Sequence, residues 1–183
     1  MKEYHLTFRE HLSELRTRLT WSAGILLACT IFSFIFHEEI LTLLMEPAGG
    51  FSGIPNKDPI YTNLTEYLGT AMKVSLLGGV ILSSPFLLLQ IAMFVSPGLN
   101  QSEKRYLYSL IPVSLIAFAI GAAFGYQILL PPAIKFLLTF GNEVATPYIR
   151  IGNYTNLVLT LLFWMGIVFE IPVIISKYIK EYD

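Results

Sequence analysis

Charge is scarce in this sequence: of 183 residues only 14% are Asp, Glu, Lys or Arg, and the mean hydropathy is +0.61. Soluble domains carry about a quarter charged residues, so the shortage excludes an ordinary globular domain and puts the chain in the membrane class. Net charge is −1, and no run of Lys and Arg is interleaved with aromatics, which excludes a nucleic-acid groove. Cysteine occurs once, as Cys29 within an apolar stretch, so neither an intramolecular disulfide nor a cysteine-based metal centre can form. His5, His11 and His37 are scattered, and HExxH, a phosphate-cradling Gly loop and a Ser elbow are all missing. Neither enzymatic activity nor a cofactor or metal is therefore expected. Internal repeats, low-complexity tracts and signs of a second domain are lacking as well.

What the chain does have is four apolar stretches of the roughly 20 residues a helix needs to cross about 30 Å of hydrocarbon. They lie near residues 19–36, 74–95, 106–130 and 156–175, predicting an all-α integral membrane protein of four transmembrane helices in one membrane domain. The first is preceded by Glu10, His11, Glu14, Arg16 and Arg18 and lacks a small-residue cleavage site, so it reads as a retained span and not a signal peptide. Lys2, Arg9, Arg16 and Arg18 precede the first span, Lys104 and Arg105 occupy the short 96–105 loop, and Lys177 and Lys180 follow the fourth. The longer loops, 37–73 and 131–155, carry only Lys57, Lys73, Lys135 and Arg150. By the positive-inside rule both termini and the 96–105 loop are expected in the cytoplasm.

Local signals refine this outline. The 40–44 segment continues helically before Pro47 and Gly49-Gly50 break it, so the first outer loop is expected to fold over the bundle. Asn63-Leu64-Thr65-Glu66 has the spacing of a capping box, predicting a helix that starts there and runs into the second span. Pro85 and Pro112 fall inside spans, where each removes a backbone hydrogen bond. Asn63-x-Thr65 and Asn153-x-Thr155 match a glycosylation triplet, but three-residue matches arise by chance and carry no weight here.

Two groups of carboxylates stand out. Glu170 lies within the fourth span, where an ionisable group costs a few kcal/mol unless paired, protonated or hydrated. It is either wet at the inner interface or a docking or coupling site for another helix. Glu10 and Glu14, four apart on one predicted helical face, and Glu103 in the short loop can form an acidic patch suited to paired guanidinium groups. The plainer alternative is local pairing, Glu14 with Arg18 and Glu103 with Lys104 or Arg105.

These residues carry a resemblance. His11-Leu12-Ser13-Glu14-Leu15-Arg16-Thr17-Arg18, Phe94-Val95-Ser96-Pro97-Gly98-Leu99 with Glu103-Lys104-Arg105, and Phe169-Glu170-Ile171-Pro172 resemble motifs of the TatC family, the multispanning subunit of the twin-arginine (Sec-independent) protein translocase. Pro47 and Tyr61-Thr62-x-x-Thr65-Glu66 fit as well. The resemblance implies a receptor for Arg-Arg signal peptides of folded cargo, working with single-span TatA and TatB subunits in export driven by the proton-motive force. By position it implies that Glu14 and Glu103 engage the arginine pair, that Phe94, Leu99 and Arg105 help form the site, and that Glu170 and Tyr126 contact a partner helix. It also implies six spans, so a chain ending after the fourth is expected to be C-terminally incomplete. A bacterial plasma membrane is expected, with a thylakoid or mitochondrial inner membrane as the alternative. Competing readings are a small proton-coupled secondary transporter with Glu170 as its ion site, and a purely structural membrane subunit.

Overall fold

The computed structural model describes residues 8–47, 59–140 and 148–181, with side chains described for 11–47, 59–140, 148–172 and 175. Among these residues six α-helices follow in order: α1 Phe8–Ile35, α2 His37–Met45, α3 Glu66–Val95, α4 Gln101–Phe124, α5 Leu130–Thr139 and α6 Ile151–Glu181. A 3₁₀ turn, Ser96–Gly98, joins α3 to α4, and a π-helical turn, Gly125–Leu129, joins α4 to α5. The stretches His11–Ile35, Glu66–Gly98, Gln101–Thr139 and Ile151–Pro172 are long and apolar enough to cross a membrane.

The helices pack as two antiparallel pairs. Along α1 and α3, contacts retreat on one helix as they advance on the other. His11 stacks on Phe94 with ring centroids 4.4 Å apart, and Arg18 reaches Gln90 at 3.2 Å. Farther along, Thr30 lies against Gly79 and Ser33 against Gly78. A Cβ on Gly79 would sit 2.7 Å from the Thr30 Cα, so only glycine permits this approach. The α4–α6 pair repeats the pattern: Ser114 meets Glu170, Phe118 covers Gly166, and Gly121 abuts Met165 and Phe169. Small residues at both seams suit helices that gain nothing from hydrophobic collapse in lipid and associate through close packing instead.

Most large apolar side chains face outward, among them Leu19 (67% exposed), Leu27 (64%) and Ile35 (67%). Hydrocarbon tails are as apolar as these groups, so their exposure costs nothing in a bilayer. The buried core is small and sits at one end of the bundle, where Leu41 and Leu44 of α2 meet Val74, Leu130, Ile134, Tyr154 and Val158. We call this the cap end. The opposite, base end holds the start of α1, the Ser96–Gly98 turn and the start of α4.

Two tyrosines fasten α2 to the bundle. The Tyr126 hydroxyl donates to the Leu43 carbonyl at 2.6 Å, and the Tyr154 hydroxyl to the Leu44 carbonyl at 2.9 Å. The last carbonyls of a helix lack their usual donors within it: Leu43 accepts the Glu46 N–H as well as its phenol, and Leu44 accepts the Tyr154 phenol. Tyr154→Phe should therefore leave the buried Leu44 carbonyl short of a donor and cost about 1 kcal/mol. A lowered thermal midpoint in detergent, with unchanged helical content, is the expected result.

The structure departs from the sequence-based expectation in two places. Helix runs on through Thr139, past the expected end of the third span near residue 130. Pro131 and Pro132 stand in the first turn of α5, directly after the π turn, and the fixed φ of proline suits a first helical turn. The expected capping box at 63–66 does not form as such. Thr65 occupies the cap position without a side-chain hydrogen bond, and Glu66 N–H bonds the Asn63 carbonyl. The Glu66 carboxylate is engaged elsewhere.

Candidate functional site

At the base end, α1 and α3 bring together residues far apart in sequence. Glu14 Oε1 accepts from both Nε (2.9 Å) and an NH2 donor of Arg18, while Arg18 NH1 donates to Gln90 Oε1 at 3.2 Å. The Glu14–Arg18 pair expected from i,i+4 spacing is thus present, and Gln90 anchors it to the neighbouring helix. Glu14 Oε2 has no partner among the described residues, and the two side chains of the pair retain 25% and 21% exposure. Beside them the His11 imidazole lies nearly parallel to the Phe94 ring, 19° between planes. The Glu10 side chain lies outside the described residues.

Phe94 leads through the Ser96–Gly98 turn to Leu99, which is extended (φ −108°, ψ 149°) and only partly buried. Glu103 follows in the first turn of α4, where its Oε2 accepts the Asn100 N–H at 2.8 Å. It forms no ion pair with Lys104 or Arg105 among the described residues. A carboxylate in a first helical turn is favoured by the unpaired N–H groups there, and the other oxygen of Glu103 has no partner among the described residues. Glu103 and Arg105 are both exposed. At the base end, therefore, Glu14 and Glu103 each have one oxygen engaged and the other without a partner among the described residues.

The second candidate, Glu170, lies inside the α4–α6 seam. Its Oε1 accepts the Ser114 hydroxyl at 3.1 Å, and the side chain is half-buried. Tyr126 is the second residue that the resemblance makes a partner contact. It stands in the π turn, about 18 Å along the helix from Ser114 at 1.5 Å per residue, with its hydroxyl on α2.

Residues 10–180 match the family described as "Sec-independent protein translocase protein (TatC)". The chain belongs to the TatC family. It is 33% identical over 175 residues to the Sec-independent protein translocase protein TatC of Carboxydothermus hydrogenoformans, covering 96% of this chain and 70% of that protein. It is 39% identical over 165 residues to a tatC-like protein, ycf43, of Gracilaria tenuistipitata var. liui, covering 90% of this chain and 67% of the relative. A crystal structure of the twin-arginine translocase receptor TatC superposes with a TM-score of 0.75 at 37% identity, over 90% of this chain and 72% of that one. The chain spans 57% of another such relative, from Guillardia theta. Family membership places it among multi-pass membrane subunits of a protein translocase and not among enzymes.

Sequence reasoning about this TatC-family chain missed several partners. Gln90 and Ser114 gave no signal, because an uncharged side chain within a span is ordinary until its neighbour is known. At the cap end, Arg150 donates to Glu66 through Nε at 3.2 Å and NH2 at 2.8 Å, and Ile60 pairs with residues 149–151 through N–H bonds of 2.8 and 2.9 Å. The fork on Glu66 pushes the Arg150 pKa above its already high value, by its hydrogen bonds and the carboxylate charge, so this arginine stays charged at any accessible pH. Thr62 N–H adds a third donor to Glu66 at 3.0 Å. The two cap-end connections are thus tied together next to α2.

Proposed function

We propose that this chain acts as the receptor subunit of a twin-arginine translocase, recognising Arg-Arg signal peptides at its base end. The observation that carries the reading is the pair of carboxylates, Glu14 and Glu103, each half-satisfied by its own chain and each with an oxygen left for a guanidinium. Arginine suits such a surface because its planar fork meets carboxylate oxygens with directed N–H groups and remains charged at every relevant pH. Phe94 and Leu99 offer apolar contact for the residues flanking an arginine pair, and Arg105 favours the acidic positions of a bound segment. The solved TatC relative is named a twin-arginine translocase receptor, which agrees with this assignment.

In this reading the base end, both termini and the 96–105 loop face the cytoplasm, as the Lys/Arg bias requires. The cap end, with α2 and the Glu66–Arg150 fork, faces the opposite compartment. The four spans lie near 19–36, 74–95, 106–130 and 156–175, in a bacterial plasma membrane or a thylakoid membrane. Single-span TatA- and TatB-type subunits complete the assembly, with Glu170 and Tyr126 contacting their helices. Transport of folded cargo is then driven by the proton-motive force.

A photo-crosslinker placed at successive positions of 96–105 tests the reading. Adducts with a twin-arginine signal peptide are expected near Leu99 and Glu103, and competition by unlabelled peptide should remove them. Adducts spread evenly over the cap-end loops would overturn it.

A further inference from the structure

Hydroxyl groups in these helices have a default. Thr30, Ser75, Ser83, Ser84 and Ser109 each donate to a carbonyl three or four residues earlier in their own helix. Such local bonding is available to any helical Ser or Thr, and its geometry is always at hand. Ser114 departs from it: its Oγ crosses to α6 and donates to Glu170 Oε1 at 3.1 Å. A short side chain reaches a neighbouring helix only where the axes are close. The seam supplies that closeness one and two turns along, where a Cβ on Gly166 would lie 2.3 Å from the Phe118 ring and one on Gly121 would lie 2.5 Å from the Met165 carbonyl oxygen.

We infer that Ser114 is the positioning residue of Glu170, pinning one carboxylate oxygen so that the other is presented to a membrane helix bearing a side-chain N–H or O–H donor. This rests on the reading of Glu170 as a partner contact and adds the residue that makes the contact directional. Glu170 Oε2 has no hydrogen-bond partner among the described residues, and the side chain is half-buried. A glutamate side chain has rotatable freedom that is lost on binding, and an intramembrane carboxylate left alone turns toward the nearest polar region. The bond to Ser114 holds the group at the depth of the seam before a partner arrives, so part of the ordering is already done. The chemistry selects the partner: a lipid tail offers no donor, whereas the amide of a Gln or Asn in a single apolar helix does.

The test uses the full chain in vesicles and two model helices, polyleucine with Gln at its centre and polyleucine alone, with association read by energy transfer. The unmodified chain should prefer the Gln helix, and Glu170→Ala should abolish that preference. Interhelical hydrogen bonds in membranes are modest, so Ser114→Ala should cut the preference about three- to tenfold, while Ser114→Thr, which keeps the hydroxyl, should restore it. The isotope-edited carboxyl stretch of Glu170 should shift in Ser114→Ala and return in Ser114→Thr, a readout that a packing role would not move. Ser114→Cys, similar in size but a weak donor, serves as a second variant if Ala lowers the thermal midpoint. A preference that survives Glu170→Ala would remove the partner-contact reading itself. Loss in Glu170→Ala with full retention in Ser114→Ala, or an unshifted carboxyl band, would overturn the positioning role alone.

Discussion

Glu14→Ala and Glu103→Ala are each expected to weaken binding of an Arg-Arg signal peptide roughly tenfold to a hundredfold, because a hydrogen bond to a charged group contributes about 1.5–3 kcal/mol. The two positions should not respond alike. Removing Glu14 also releases Arg18, whose guanidinium is shared between Glu14 and Gln90, and leaves an unpaired cation that repels the incoming arginines. Removing Glu103 frees only the Asn100 N–H, which solvent reaches. The Glu14 variant should therefore show the greater loss, and Arg18→Gln in the Glu14→Ala background should recover part of it. A Lys-Lys peptide keeps the charge without the planar fork, so it should bind the unmodified chain more weakly and respond less to either substitution. Equal affinity for the two peptides, abolished for both by moderate salt, would reduce the site to generic attraction between exposed charges. Fluorescence titration of labelled peptides against the chain in detergent measures all of these quantities.

How far the sequence foretold this arrangement differed from element to element. The long helices were legible because lipid imposes one requirement on every residue of a span, apolarity over a fixed length. The pairing of those helices was not, since it depends on which glycines oppose which bulky side chains, and Gly121 reads no differently from Gly69. Only in the folded chain does Gly121 abut the Met165 carbonyl while Gly69 has nothing within 4 Å. The two Asn-x-x-Glu segments make the same point. Asn63-Leu64-Thr65-Glu66 and Asn100-Gln101-Ser102-Glu103 share one local signature, yet only Glu103 reaches back to the backbone N–H of its asparagine. Glu66 instead accepts Arg150, 84 residues away, together with Thr62. A guanidinium fork outweighs one backbone N–H, and no local pattern announces that it will arrive.

At the candidate site the carboxylates were legible as types and as positions; their engagement was not. Spacing made a Glu14–Arg18 pair a plain expectation, and it forms. The same logic applied to Glu103 and its basic neighbours fails, because its carboxylate turns back to the Asn100 N–H at the start of α4. Tyr126 stands in the π turn, a local re-registration of the helix that no composition signal marks, and its hydroxyl bond to α2 was not legible in the sequence.

The α4–α6 seam should tolerate little, and its two glycines, Gly166 and Gly121, should fail in distinguishable ways. At Gly166 an added methyl would meet the Phe118 ring at 2.3–2.7 Å. At Gly121 it would meet the Met165 carbonyl oxygen at 2.5 Å and the Phe169 side chain at 2.8–2.9 Å. Overpacking of this kind costs about 1–3 kcal/mol, and more where backbone must move. Gly166→Ala should therefore lower the thermal midpoint in detergent, and Phe118→Leu in the same chain should recover much of the loss, because the obstructing group is a ring that can be trimmed. Gly121→Ala should lose more and resist rescue by Phe169→Ala, because a carbonyl of α6 stays in the way whatever stands at 169. Gly69→Ala, with open space around it, should be neutral or slightly stabilising by the helix propensity of alanine. The same substitutions reach function through geometry: an added methyl in the seam separates the helix axes, and the Ser114 hydroxyl no longer spans the gap to Glu170. Cysteines placed at Ser114 and Glu170 should accordingly crosslink readily in the parent chain and poorly in Gly121→Ala. Rescue of Gly121→Ala by Phe169→Ala, or a Gly166→Ala variant as stable as the parent, would mean that the helices do not meet as closely as their glycines imply, and the directional hold on Glu170 would lose its structural basis.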